Sequence, residues 1–212
     1  MIIYGSPLSP YVRKIVIYCA ERGIELDMQP GGLGAGGPEF LEASPFKKIP
    51  AIRDGDFTLA DSSAIAHYLE TKHGQALIPT EAEAVGRTIW LDEFTDTILI
   101  AAAGAVFFNR IVAPKFLKQE GDMAAAEKAE KETLPPLFEW LNGEVQESGY
   151  LVGDGFTLAD VSVASSFINL LHCGIEVDAE KYPKLRSYID AIWARPSFAA
   201  QIEREQAMFR KG

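Results

Sequence analysis

Two hydroxyls three residues apart, Ser6 and Ser9, stand between a short apolar run (Ile2-Ile3-Tyr4) and an apolar repeat at helical spacing (Val12, Ile15, Val16, Cys19). The order reads as a strand, a turn and a helix start. Ser9 fits the N-cap, and Pro10 fits the first helical position, where a missing N–H costs nothing. Hydroxyls at such a place lie beside backbone N–H groups and the positive end of a helix dipole, which favours an anion. Further on, Ile49-Pro50 opens a strand–turn–strand pattern with Asp54-Gly55-Asp56 at its bend. Asp61-Ser62-Ser63 then forms a cluster of capping residues at the head of a helix that ends near Gly74. Arg13 and Lys14 read as the exposed face of the first helix.

The elements that must position these residues fall into two groups. Residues 2–5 read as a strand, 10–22 as a helix, and Glu25 to Met28 as a second short strand ended by Pro30. With the later hairpin and helix this makes a small α/β unit, β-α-β followed by β-β-α, over residues 1–78. Gly32, Gly34 and Gly37 match the dinucleotide fingerprint in form only. Pro30 interrupts the strand that should precede it, and Pro45 holds the next helix to about two turns, so a mobile loop is the expectation. Residues 79–84 read as a linker, and residues 85–212 as an all-helical domain without strands. There a long helix runs from about Glu83 to Val112 and stops at Pro114, and another begins near Asp122, to be kinked or broken by Pro135 and Pro136. Phe156 to Val161 carries a capping box, with Thr157 as N-cap, Asp160 at the third helical position, and Phe156 and Val161 placed as a hydrophobic staple. Helices over about Lys184–Ala194 and Phe198–Phe209 complete the chain.

Composition narrows the function. A formal net charge of −10 argues against nucleic acid, whose phosphates call for a basic face. The first residues lack a basic, then apolar, signal pattern, and the apolar segment Ile98 to Val106 is too short to span a bilayer, so a cytoplasmic protein without membrane partners is expected. Cys19 and Cys173 lie in apolar helical patterns and read as two buried free thiols. His67, His73 and His172 have no metal-ligand spacing, so no metal is expected. No nucleophile-elbow motif is present, which argues against a hydrolase.

The serine-proline helix start, Ile49-Pro50 before a hairpin, the Asp61-Ser62 helix start and the Phe156–Asp160 cap occur in that order across nearly the whole chain. Together they resemble the cytosolic glutathione S-transferase family, in particular its serine-type, bacterial-like members. The resemblance implies a thioredoxin-like α/β first domain, an all-α second domain, glutathione as co-substrate without a metal, and a homodimer. It also implies roles. Ile49-Pro50 corresponds to the family's cis-proline site, where the residue before proline pairs its backbone with the cysteinyl part of glutathione as an added strand would. Asp61 and Ser62 correspond to the γ-glutamyl clamp, the serine N–H and hydroxyl suiting a carboxylate and the aspartate an ammonium. Lys48 is placed to meet the glycyl carboxylate.

Where other thioredoxin-like proteins carry Cys-x-x-Cys, this chain has Ser6-Pro7-Leu8-Ser9, which disfavours disulfide exchange. The implied chemistry is a serine hydroxyl donating to the glutathione sulfur and stabilising its thiolate, with Ser9 the first choice, Ser6 the second and Tyr4 a distant third. Lowering a thiol pKa by about two units takes about 2.7 kcal/mol, within reach of one charge-assisted hydrogen bond and a helix terminus. A hydrophobic electrophile would lie between the domains, beside Phe107, Phe108 and Arg110, while Trp90 and Phe94 read as packing. The principal reading is therefore a transferase that conjugates the glutathione thiolate to a small hydrophobic electrophile, in keeping with a detoxification role. The alternatives are another glutathione-dependent reaction on the same site (isomerisation, dehalogenation, weak peroxide reduction) and a non-catalytic binding or scaffold protein of the same fold.

Overall fold

A computed structural model describes residues 1–210 of the chain. The alternation of apolar side chains forms four short strands: β1 (Ile2–Gly5), β2 (Asp27–Pro30), β3 (Ala51–Asp54) and β4 (Phe57–Ala60). They make one mixed sheet in the order β2-β1-β3-β4, with β1 parallel to β2 and antiparallel to β3, and β3 antiparallel to β4. This is the thioredoxin-like arrangement that the resemblance implies. Helix α1 (Pro10–Glu21) crosses from β1 to β2, the short α2 (Pro38–Ala43) follows the glycine-rich turn, and α3 (Ser62–His73) follows the hairpin. The second strand lies two residues later than expected, and Pro30 is part of it, paired with Gly5. An edge strand tolerates proline because the missing donor can face away from the ladder.

Arg13 and Lys14 overturn the expectation of an exposed helix face, being 0% and 1% exposed. Period counting from Val12, Ile15 and Val16 allots one apolar stripe to α1, but a second layer covers the opposite side. Each cation meets carboxylates from the helical part of the chain: Arg13 pairs with Glu205 at 2.6 Å, and Lys14 with Asp92 at 2.7 Å and Asp96 at 2.8 Å.

No strand occurs after Ala60 among the described residues. Helix α4 (Ala82–Phe94), a π turn over Thr95–Leu99, α5 (Ile100–Phe107) and a second π stretch over Phe108–Leu117 run on as one 36-residue helix. Pro114 does not stop it, because it lies in the wider π geometry, which relieves the clash between a prolyl ring and the preceding turn. The helix ends instead at Lys118, in the left-handed conformation. One 18-residue window of this helix has a mean hydropathy of 1.6, apolar enough for a membrane span by length and composition. Here Leu91, Leu99, Ala102 and Val106 are spent on the protein's own core.

The next helix behaves alike. Helix α6 (Met123–Lys128) passes through a π turn, Ala129–Thr133, into α7 (Leu134–Glu144). Pro135 and Pro136 lie just past that π turn, whose wider geometry accommodates their rings, and the expected break does not occur. Helix α8 (Leu158–His172) is almost wholly buried and packs on α1, α4 and α5, while α9 (Pro183–Trp193) and α10 (Pro196–Arg210) close the bundle. One continuous apolar core runs from Ile3 and Val12 through Leu158 to Phe198, joining sheet and bundle.

The predicted cap holds α8 in place. The buried Asp160 carboxylate accepts the Thr157 N–H at 2.7 Å, the Thr157 hydroxyl at 3.0 Å and the Leu151 N–H at 3.1 Å, and the Leu158 N–H donates to the Leu77 carbonyl at 2.7 Å. Phe156 meets Tyr150 and Phe198 edge-on, with the Arg195 guanidinium over its ring. Replacing Asp160 by alanine orphans three buried donors, so urea denaturation of D160A is expected to show a loss of about 3 kcal/mol. Asp160→Asn, which keeps one acceptor oxygen, is expected to lose about half as much.

Candidate functional site

The turn after β1 is closed by the Ser9 N–H, which donates to the Ser6 carbonyl at 3.0 Å. Ser9 then caps α1, its Oγ accepting the Val12 N–H at 3.4 Å from an extended backbone (φ −74°, ψ 126°). Gly5 makes this approach possible, since a Cβ there would lie 2.5 Å from Val12 Cγ2. Both serines line a cleft of about 570 Å³ between the α/β unit and the helical bundle. Its far wall is apolar and aromatic, made by Ile100, Ala103, Phe107, Phe108, Val112 and Phe116 of the long helix.

A second hollow, of about 530 Å³, shares Tyr11, Lys48 and Ile49 with the first. The two form one trough with the Ser9 turn at the apolar end. The character of the second lobe is charged and polar: Asp61, Ser62 and Ser63 at the head of α3, and Glu93 and Asp96 on the long helix. The Ile49–Pro50 bond is cis. Asp61 holds a φ of 88°, a conformation that costs a side-bearing residue about 1–3 kcal/mol. Its carboxylate caps α3 through the Ala64 N–H at 2.9 Å. That cap leaves the Ser62 and Ser63 amides at the free end of the helix, a place for a carboxylate, while the surrounding acids suit an ammonium. The lobe therefore fits a zwitterionic amino-acid group.

The lobe is braced from below. The Lys14 ammonium donates to Asp92, Asp96 and the Ser63 hydroxyl, which in turn donates to Asp92 at 2.6 Å. Burial alone would lower the Lys14 pKa, but the two carboxylates outweigh it and raise it, holding the ammonium charged. The Ser62 hydroxyl reaches Asp96 at 3.3 Å. Tyr11 donates to the Asp96 backbone carbonyl at 3.0 Å, and burial, with Asp96 and Asp61, raises its pKa, so it stays a neutral phenol. On the opposite wall, buried Ser44 donates to the Lys48 carbonyl at 2.7 Å and accepts the Lys48 N–H at 2.9 Å, fixing the loop that carries Lys48.

Family models for the glutathione S-transferase N-terminal domain and C-terminal domain match residues 3–77 and 107–205. Glutathione S-transferase 3 of Zea mays is 32% identical, with 94% of this chain and 92% of the relative covered. Glutathione S-transferase F13 of Arabidopsis thaliana is 31% identical, with 93% of each covered. The chain belongs to the glutathione S-transferase family. It is a glutathione S-transferase by kind of enzyme, with glutathione as co-substrate. In fold it superposes on a glutathione S-transferase from Rhodospirillum rubrum with a TM-score of 0.85 at 20% identity, over 94% of this chain and 90% of the other.

For this glutathione S-transferase the structure brings Ser6, Ser9, Lys48 and Ile49 to the first lobe, and Lys48, Ile49, Asp61 and Ser62 to the second. Pro50 is buried behind them. Phe107 and Phe108 reach the apolar wall, but Arg110 does not line it. Its guanidinium turns away to pair with Glu130, because a π stretch from Phe108 re-aims the side chains that follow. Tyr4 packs on Phe40 on the far side of the sheet, away from the trough. Phe94 is buried against Trp140, as expected of a packing residue, whereas Trp90 meets Trp140 edge-on but stays 46% exposed. Sequence reasoning missed Tyr11, Asp96, Phe116 and Asn169. Only Tyr11, two residues past the N-cap, stood near a motif that could have flagged it. Among the described residues no group of three or more His, Cys, Asp or Glu side chains is placed to hold a metal.

Neither cysteine is poised for chemistry. Both are free, Cys19 buried as expected and Cys173 only half-buried; burial pushes the Cys19 thiol up to about 12 and the Cys173 thiol up to about 11. Iodoacetamide at pH 7.5 is accordingly expected to leave both unmodified in the folded protein by mass spectrometry. The double variant Cys19→Ala/Cys173→Ala should keep kcat/KM within about threefold, whereas loss of a reacting thiolate would cost orders of magnitude.

Proposed function

We propose that this protein conjugates the thiolate of glutathione to a small hydrophobic electrophile. The observation that carries the reading is the Ser9 N-cap, a hydroxyl at a helix N-terminus where a charged lobe fit for an amino-acid zwitterion meets an apolar, aromatic lobe. In this reading residues 1–78 hold glutathione and residues 85–212 supply the electrophile wall, with 79–84 as linker. The γ-glutamyl end lies at the head of α3, its carboxylate on the Ser62 N–H and hydroxyl and its ammonium by Asp61. The cysteinyl backbone runs along Ile49-Pro50 as an added strand, and Lys48 meets the glycyl carboxylate.

This threading leaves the sulfur at the Ser6–Ser9 turn. Ser9 Oγ already accepts the Val12 N–H, so its proton is free to point at the sulfur, and the α1 dipole adds to the effect. Ser6 is the second candidate. Activation works by environment and proximity, with no covalent enzyme intermediate. The electrophile stacks on Phe107 and Phe108. Family membership supports a homodimer, as does apolar surface left open at Phe46, which is 86% exposed. Family membership and two unpaired thiols support a cytoplasmic, detoxifying role.

A thiol whose pKa is depressed on the enzyme gives a kcat/KM that rises with pH through the depressed value and levels off above it. Removing the stabilising hydroxyl moves that rise to higher pH. Ser9→Ala is expected to shift it up by about two units, toward the free-thiol value near 8.5, and to lower kcat/KM at pH 6.5 about 50-fold in an aromatic-halide conjugation assay. An unchanged profile for Ser9→Ala with a shifted one for Ser6→Ala would transfer the role to Ser6. Failure to bind immobilised glutathione would reject the reading altogether. Phe108→Ala is expected to raise KM for the aromatic halide about fivefold, the KM for glutathione staying unchanged.

A further inference from the structure

We propose that Glu205, near the carboxyl end of the chain, is a positioning residue for the sulfur-binding turn, acting through Arg13 and Asn169 on the Leu8–Ser9 peptide. The inference rests on the reading that this turn stabilises the thiolate. Its physical basis is one peptide plane held from both sides. The Ser9 N–H is fixed by the Ser6 carbonyl at 3.0 Å, and the Leu8 carbonyl accepts from Asn169 Nδ2 at 3.3 Å and from Arg13 Nη2 at 3.4 Å. Tilting that plane moves both hydroxyls relative to the trough, because one precedes it by two residues and the other follows it directly.

The group that steers the plane is itself locked. All five Arg13 donors are used: Nε and Nη2 on Glu205, both at 2.6 Å, Nη1 on the Ser165 carbonyl at 2.6 Å and Asn169 Oδ1 at 2.7 Å, and the second Nη2 proton on Leu8. Glu205 is equally saturated, since Gln201 reaches its Oε1 and His172 Nε2 its Oε2, each at 2.8 Å. Arg13 from α1 and His172 from α8 are the titratable groups that face it, and Gln201 comes from its own helix α10. Burial would raise the Glu205 carboxyl, but Arg13 and the hydrogen bonds from His172 and Gln201 outweigh it and hold the group ionised.

A fully buried Arg–Glu pair is a poor source of stability, because matched apolar side chains in its place often do as well or better. What an apolar pair cannot do is hold a guanidinium at a fixed angle to the Leu8 carbonyl. Asn169 is the second strut. It lines the trough and joins Arg13 to the same carbonyl, so the bundle touches the turn at two points through one network. The carboxyl-terminal helix thereby sets the geometry of a turn nearly 200 residues earlier in sequence.

The test uses the full-length enzyme and the ultraviolet absorbance of glutathione thiolate against pH. Glu205→Gln keeps the size but not the charge, and the double variant Arg13→Met/Glu205→Leu removes the network while filling its volume. Both are expected to raise the apparent pKa of bound glutathione by about one unit, a roughly fivefold smaller thiolate fraction at pH 6.5. The KM for glutathione should stay within about twofold, and the melting temperature of the double variant near that of the parent. Adding Ser9→Ala to the double variant should cost less than Ser9→Ala costs alone, since the hydroxyl is already misplaced. A folded double variant with the parent's thiol pKa overturns the proposal, as does a set of Glu205 variants that lose fold and activity together. If Ser9→Ala alone leaves the thiol pKa unchanged, it is the thiolate reading that fails, and the two failures are separable.

Discussion

The structure depends on two adjacent cations that leave water. Arg13 and Lys14 sit side by side on α1 in the first domain-sized unit, and neither finds its counter-charge there. Their carboxylates come from Glu205 on α10 and from Asp92 and Asp96 on the long helix. An unpaired cation in a buried site carries a penalty of several kcal/mol, so sheet and bundle must be docked for α1 to be stable as it stands. The apolar contact of α1 with α8 supplies the area. The ion pairs set the register, because a guanidinium and an ammonium with every donor engaged tolerate little sliding.

From that docking the trough follows. The head of α1 brings Ser9 to the seam, the cis Ile49–Pro50 segment forms one bank, and the long helix forms the other. The π turns in that helix matter to the site. Thr95–Leu99 carries Asp96 under the head of α3, and Phe108–Leu117 turns Phe108 and Phe116 toward the cleft while sending Arg110 to Glu130. Widened turns inside helices commonly occur at functional positions, and here two of them shape opposite ends of one trough. The charged and apolar lobes are thus products of the same helix.

Much of this was readable in order of residues. Ser9-Pro10, the Asp54-Gly55-Asp56 bend, Asp61 before α3, Gly74 after it and the Thr157–Asp160 cap are local devices, and each appears where its chemistry requires. The errors share a cause. Pro30, Pro114 and the Pro135-Pro136 pair read as breaks because proline lacks a donor and its ring crowds the preceding turn. Yet an edge strand leaves the donor unused, and Pro114 lies in, and Pro135-Pro136 just after, a widened π turn that relieves the crowding. Arg13 and Lys14 read as exposed because charge usually is, but their partners lie 78 to 192 residues away.

Residue order alone settles the local chemistry: which segments become strands and helices, where they are capped, and that serines rather than cysteines stand at the head of α1. These outcomes are settled within a turn or two of each residue, by hydrogen-bonding capacity and side-chain shape. Packing of the bundle on the sheet fixes what faces what. It placed Asp96, Tyr11 and Asn169 at the trough, removed Arg110 from it, and buried two cations that periodicity assigned to water. No local rule could do so, because the desolvation of a charge and its compensation are properties of a folded interior, supplied by groups that only the docked bundle brings within reach.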